Sequence, residues 1–250
     1  MADFKTHMYV ASPLSGLAAG CLLVTDQIHP EEVILYFALG CIGTMLPDID
    51  ADNSVPLRLL FNVMVPLVLL LFIFSKGFCW SLIELFITWL TGFLFIKYVV
   101  FPFFTHLTVH RGVLHSIPAA FLFWFATTVF LDRAFDFSSF RAWLAGFFVF
   151  AGFIVHLVLD EIYSLNIFGG QIKKSFGTAF TLIKLNDLKT TFLLYMLVIT
   201  LFTFTPDPKP FFTRIMSRDF YRRIHLFPQD DWFQNGWILT NPRQRVNGPR

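Results

Sequence analysis

Seven side chains able to bind metal recur where apolar segments of this chain meet polar sequence: His7, Asp48 and Asp50 in LPDID, His110 and His115 in HRGVLHS, and His156 and Asp160 in HLVLD. Imidazole nitrogens mixed with carboxylate oxygens suit a divalent cation. A cation held by such a set can activate water and polarise an ester or phosphoester.

Each motif has its own chemistry and its own plainer alternative. In LPDID the two carboxylates are two residues apart after Pro47, a break that stops a helix and can aim both into a pocket; the plainer alternative is a helix-ending loop. Asp52 and Ser54 stand close enough to add a ligand or a supporting hydrogen bond, although Asp52 equally suits plain solvation. In HRGVLHS the two histidines are five apart around Gly112, so a straight helix does not align them but a turn at Gly112 does. Arg111 between them suits forked recognition of phosphate or carboxylate oxygens, or pairing with the chain's own aspartates. In HLVLD, His156 and Asp160 are four apart and share one helical face. Either they bind one ion together, or Asp160 orients the imidazole, or the two form only a buried hydrogen bond between helices. Glu161 follows on a different face and is a general-base candidate.

These groups must be positioned by a membrane-embedded scaffold. Apolar residues make up 56% of the 250-residue chain and charged residues 14%, with a mean hydropathy of +0.64, more apolar matter than one water-soluble core could hide. Clear membrane segments run from Leu57 to Phe74, Leu82 to Phe103, Ile117 to Leu131, Trp143 to Leu159 and Phe192 to Phe204. Two shorter ones, Ser12 to Val24 and Val33 to Leu46, need tilt or shielding. The expected fold is all-α and polytopic, with about seven membrane segments in residues 1–205 and a polar, basic C-terminal tail over 206–250 that carries an interfacial helix. Cys21, Cys41 and Cys79 are far apart in apolar stretches, which supports neither a disulfide framework nor a thiolate zinc site. The Ala-Ala-Gly-Cys run ending at Cys21 is read as helix interior, because hydrophobicity continues beyond it.

Seven crossings place every candidate ligand on one face. His7 starts there, the second segment returns the chain with Asp48 and Asp50, and the next two round trips deliver His110 and His115, then His156 and Asp160. The KKSFGTAF segment, with Lys173 and Lys174, suits lipid headgroups or an anionic substrate. Lys and Arg divide evenly between the faces; because Arg111, Lys173 and Lys174 have local roles, the tail is assigned to the cytoplasm and the site to the outward face.

The combination of an N-terminal His, LPDID with Ser54 shortly after, HRGVLHSIP, HLVLDEIYS and KKSFGTAF resembles the YdjM-like family of bacterial membrane-bound metal-dependent hydrolases, from about Met1 to Leu185. The resemblance implies a multi-pass protein of the bacterial inner membrane with a divalent-metal site, whose ligands map onto His7, Asp48, Asp50, His110, His115, His156 and Asp160. The function expected is hydrolysis of a phosphoester or similar bond in a lipid-linked or membrane-proximal substrate, using one or two ions of zinc, manganese or magnesium. Asp160 or Glu161 would accept a proton and Arg111 would stabilise developing negative charge. The bilayer and a lipid-linked phosphate are the expected partners, and nucleic acid is not. There are two alternatives: a non-catalytic metal-binding or metal-transporting protein, which would use the same ligands, and a di-iron membrane hydroxylase, hinted at by His106, His110 and His115. A metalloprotease lacks its H-E-x-x-H helix.

Overall fold

The structure is a computed structural model that describes residues 3–50, 62–63, 65–76, 80–100, 115–166, 171–172, 180–182 and 187–224. Among them are nine α-helices: α1 (Phe4–Val24), α2 (Val33–Met45), α3 (Val65–Lys76), α4 (Leu82–Phe95), α5 (Ile117–Phe135), α6 (Ser139–Ser164), α7 (Leu188–Phe204), α8 (Lys209–Ile215) and α9 (Arg218–Arg222). Leu165–Asn166 pairs antiparallel with Gln171–Ile172, two residues on each side.

The first helix begins earlier than its apolar stretch. Asp3 caps it by accepting from Thr6 N at 2.9 Å, and these Thr6 hydrogen bonds hold the Asp3 carboxyl below its usual range. His7 is therefore part of the helix, one turn inside it. Helix α2 starts from a 3-10 turn at Pro30–Glu32, where Glu32 accepts from His29 N at 2.8 Å, and it tightens into another at Leu46–Asp50. Ser116 caps α5 by accepting from Ala119 N, with Pro118 in the first turn.

Helix α6 is the hub. Its side chains are buried along most of its length, and it packs closely on both α2 and α5. These approaches depend on missing side chains. A Cβ on Gly152 of α6 would overlap the Gly40 carbonyl of α2, one on Gly43 would overlap the Val149 carbonyl, and one on Gly146 would meet Thr128 and Trp124 of α5. Thr44 bridges the first crossing, its hydroxyl lying 2.9 Å from Gly152 O and 3.2 Å from Gly40 O.

Among the described residues, three helices are long and apolar enough to cross a membrane, namely α1, α5 and α6; a fourth span arises if α7 and α8, bent by 90°, count as one. At 13 residues, α2 is only about 20 Å long. The Leu57 to Phe74 stretch contributes α3, while the Leu82 to Phe103 stretch gives α4 and a wider helical turn over Ile96–Val100. Residues 206–224, assigned from sequence to the polar tail, hold α8 and α9. Phe211 and Phe220 are buried, Phe211 lying against Trp124, Trp143 and Phe147, and Trp143 Nε1 donates to Pro206 O at 2.9 Å.

The α2–α6 crossing yields the first expected outcome. Gly152→Ala forces the helices apart and should cost roughly 1–3 kcal/mol, read as a lower unfolding temperature of the detergent-solubilised protein. Gly20→Ala, where an added Cβ meets nothing, should leave that temperature unchanged or raise it.

Candidate metal centre

Four elements deliver five of the seven sequence candidates to one place. His7 comes from the first turns of α1, Asp48 from the 3-10 turn after α2, His115 from the residue before the Ser116 cap of α5, and His156 and Asp160 from one face near the end of α6. The carboxylate of Asp50 and all of His106, His110, Arg111 and Gly112 lie outside the described residues, as do Asp52, Ser54, Lys173 and Lys174. Glu161 is half-buried on the neighbouring face of α6. Of the cysteines, Cys21 and Cys41 are both free thiols and neither belongs to the cluster.

The donor spacing is informative. Nε2 of His156 lies 3.6 Å from Asp48 Oδ1 and 3.5 Å from Asp160 Oδ2. Nε2 of His115 lies 3.6 Å from the same Asp48 oxygen and 3.8 Å from the same Asp160 oxygen. These separations exceed the roughly 2.7–3.2 Å of a good N–H···O hydrogen bond. They approach the edge of a tetrahedral site, about 3.3–3.6 Å for ligand bonds of about 2.0–2.2 Å. Two triads, His7 with His156 and Asp160, and Asp48 with His115 and His156, each bring their ligand atoms within 4.8 Å of one another. The residues present can hold a metal ion.

Orientation supports the same use. Nδ1 of His156 lies 2.7 Å from the Thr44 carbonyl, which can only accept, so Nδ1 carries the proton and Nε2 presents a lone pair to the carboxylates. That Nε2 is buried with no hydrogen-bond partner, and so are both ring nitrogens of His7. Lone pairs and carboxylates converging in a dry interior repel one another unless a proton or cation stands between them.

His7 is placed differently. Its Nε2 faces the other oxygen of Asp160, Oδ1, at 3.4 Å. Its ring stacks on His156 with centroids 3.8 Å apart and planes 6° from parallel. Lone pairs lie in the ring plane, so two parallel rings do not aim theirs at one point. His7 and His156 instead face different oxygens of Asp160. Exposure is also graded across the cluster, from 0% for the side chain of His156 and 5% for Asp160 to 12% for His115 and 30% for Asp48. The accessible edge is the one lined by Asp48 and His115.

Residues 2–206 match the family model described as YdjM inner membrane protein. The chain belongs to that family. Comparison with curated proteins and with solved structures found no match. The family span contains every candidate ligand and helices α1 to α7, while α8 and α9 lie beyond it. With the apolar helices above, membership makes this a membrane protein.

Sequence reasoning did not find Thr44 or the glycines that admit it. Thr44 acts through its carbonyl, which every residue possesses. A detectable signal existed in Gly40, Thr44 and Asp48 and in Gly152, His156 and Asp160, small and functional residues following one another at one-turn spacing.

Metal analysis of the purified protein tests the centre. His156→Ala should reduce divalent-metal affinity by roughly tenfold or more through loss of a ligand, whereas Cys41→Ser, a buried change elsewhere on α2, should retain it. Equal metal in His156→Ala and the parent would count against the cluster as a metal site.

Proposed function

We propose that this protein is a membrane-bound metal-dependent hydrolase acting on a phosphoester or similar bond of a lipid-linked or membrane-proximal substrate. The observation that carries this reading is the asymmetry of the donor cluster: sealed on the His156 side and accessible at Asp48 and His115. Structural metal sites are closed on all sides, whereas catalytic ones keep a position open.

Asp48, His115, His156 and Asp160 Oδ2 would hold one ion, and His7 with Asp160 Oδ1 would contribute to a second, making Asp160 the shared carboxylate. The imidazole donors favour zinc over manganese and magnesium, which prefer oxygen ligands. A divalent ion in such a site lowers the pKa of bound water and polarises the scissile group. The remaining steps fall to the chain. Thr44 keeps His156 in its productive tautomer. With one ion bound, Asp160 Oδ1 or Glu161 would accept the proton from the attacking water; with two bound, that role would fall to Glu161. Arg111 clamps two oxygens of a phosphate, and the apolar packing beneath His156 excludes competing water.

A transport reading requires polar groups through the depth of the membrane. The described donors instead gather at one end of α1, α2, α5 and α6, and the rest of the bundle is occupied by the aromatic core of Tyr36, Trp124, Trp143 and Phe148. The topology proposed is seven crossings of a bacterial inner membrane, with α2, α3 and α4 completing the set and the tail in the cytoplasm.

Asp160→Asn should abolish turnover of polyprenyl-phosphate or phospholipid substrates while leaving the unfolding temperature nearly unchanged, because the amide is close to isosteric yet a poor ligand and no base. Arg111→Lys should lower kcat/KM on phosphorylated substrates by roughly tenfold or more. An active enzyme indifferent to Arg111→Lys would remove the phosphate clamp and leave the hydrolytic centre standing. A purified, metal-loaded protein with no turnover on any of these substrates would favour the binding role. For topology, a C-terminal fluorescent fusion that lights only in the cytoplasm should be bright; a dark fusion paired with an active periplasmic reporter would reverse the orientation.

A further inference from the structure

The end of the molecule remote from the donor cluster carries a polar cavity that the hydrolytic reading does not use. It measures about 520 Å³, and its polar lining comprises Asp26, Gln27 and His29 from the α1–α2 turn, Ser138 and Arg141 at the entry to α6, and Arg214 from α8. From Arg141 to Asp160 along α6 is about 30 Å. That distance is one hydrocarbon thickness, so if the donor cluster lies near one membrane boundary, this cavity lies near the other.

Three observations describe its chemistry. First, the guanidinium of Arg214 lies 4.5 Å from the ring centroid of Phe140, and among the described residues it makes no ion pair. A guanidinium fixed by cation–π contact alone keeps its fork of donors for a ligand. Second, the nearby carboxylates are engaged: Glu32 holds Arg141 Nε at 3.0 Å and Asp26 faces Arg223 at 3.7 Å. The turn that presents Gln27 and His29 is itself set by Asp26, whose φ of 57° reverses the chain, and by Gln27 N donating to Leu22 O at 2.9 Å. Third, the 90° bend before α8 turns that helix across the end of the bundle. Residues 206–224 carry Lys209, Arg214, Arg218, Arg222 and Arg223 against Asp207 and Asp219. Phe212, Met216 and Tyr221 are exposed on the same segment, a pairing of cations with apolar side chains that suits an anionic membrane surface.

We infer that this cavity is an anion site for a phosphate group, with Arg214 as its principal donor and Arg141 as the supporting cation. A phospholipid headgroup and free phosphate share that chemistry. The site is independent of the metal centre and of any hydrolysis there.

The test uses the full-length protein in an uncharged detergent. Native mass spectrometry measures retention of phosphatidylglycerol against phosphatidylcholine, and inorganic phosphate is titrated as a competitor and as a thermal stabiliser. The expected result is phosphatidylglycerol retained at least roughly tenfold better than phosphatidylcholine, the scale of a charge-assisted contact. Arg214→Gln should erase that preference, and so should Gln27→Glu, which adds to the cavity a carboxylate that, unlike Asp26, has no arginine facing it, at nearly constant volume and with Arg214 in place. Arg218→Gln, which does not line the cavity, should retain the preference. Displacement of the lipid by millimolar phosphate would assign the site to free anions as well; resistance to it would assign the site to the lipid, and both support the inference. Equal retention of the two lipids without stabilisation by phosphate would overturn it. So would a preference that survives both Arg214→Gln and Gln27→Glu, because that is the behaviour of diffuse surface charge.

Discussion

The candidate centre depends on one hydrogen bond, from His156 Nδ1–H to the Thr44 carbonyl across the α2–α6 crossing. Thr44 stands in the last turn of α2, where helix carbonyls lack a partner within the helix, and Pro47 three residues on has no N–H to offer it. Its carbonyl can take the imidazole N–H only if the partner helix approaches within contact of the backbone. Gly40 and Gly43 on one helix and Gly152 on the other permit that approach, and the Thr44 hydroxyl ties the two backbones at the same level. Everything at the site follows. The imidazole has one tautomer, its Nε2 points at Asp48 and Asp160, and Asp48 is held nearby because the 3-10 turn at Leu46–Asp50 continues directly from the helix that carries Thr44.

Burying such a cluster is costly, and the fold limits the cost by gathering the charges at helix ends. Helix α6 divides its length between two chemistries. Its first half packs Trp143, Phe147 and Phe148 among Trp124, Tyr36 and Phe211, while its last turns carry His156 and Asp160. Between them the Gly152 crossing brings α2 in close. The aromatic half places its two indole N–H groups on Trp143 O and Pro206 O and leaves the buried Tyr36 hydroxyl without a hydrogen-bond partner among the described residues. The ionisable half leaves donor atoms directed at one another, and that arrangement is stable only with a cation or shared protons between them.

How much of this was legible in the sequence varies by residue. His7, Asp48, His115, His156 and Asp160 stand out because ionisable groups amid apolar residues are rare, and their appearance after every second segment announces a common face. Helix packing was less legible: Thr44 and Gly152 are 108 residues apart, and no local pattern pairs them. The start of α1 was misjudged because Lys5, Thr6 and His7 look like exposed polar sequence, although Asp3 followed by Thr6 was the capping signal that extends the helix. Phe211 was hidden by composition. The Pro- and Arg-rich surroundings read as a polar tail with an interfacial helix, whereas one aromatic ring on a seven-residue helix fills a gap among Trp124, Trp143 and Phe147.

Charge balance ranks the two donor positions within the proposed reading. Asp48 and Asp160 bring two negative charges and the neutral imidazoles none, so one divalent ion among Asp48, His115, His156 and Asp160 Oδ2 leaves the interior near neutrality. A second ion between His7 and Asp160 Oδ1 would leave it doubly positive, and each uncompensated buried charge costs several kcal/mol. His7 sits on the sealed side, with 2% of its surface exposed, so water offers little compensation there. The balancing charge must come from another carboxylate, as Asp50 or Glu161 would supply, or from the phosphate of a substrate entering past Asp48 and His115. The position beside His7 is therefore the weaker of the two. An anionic substrate strengthens it, and a neutral substrate of the same size does not.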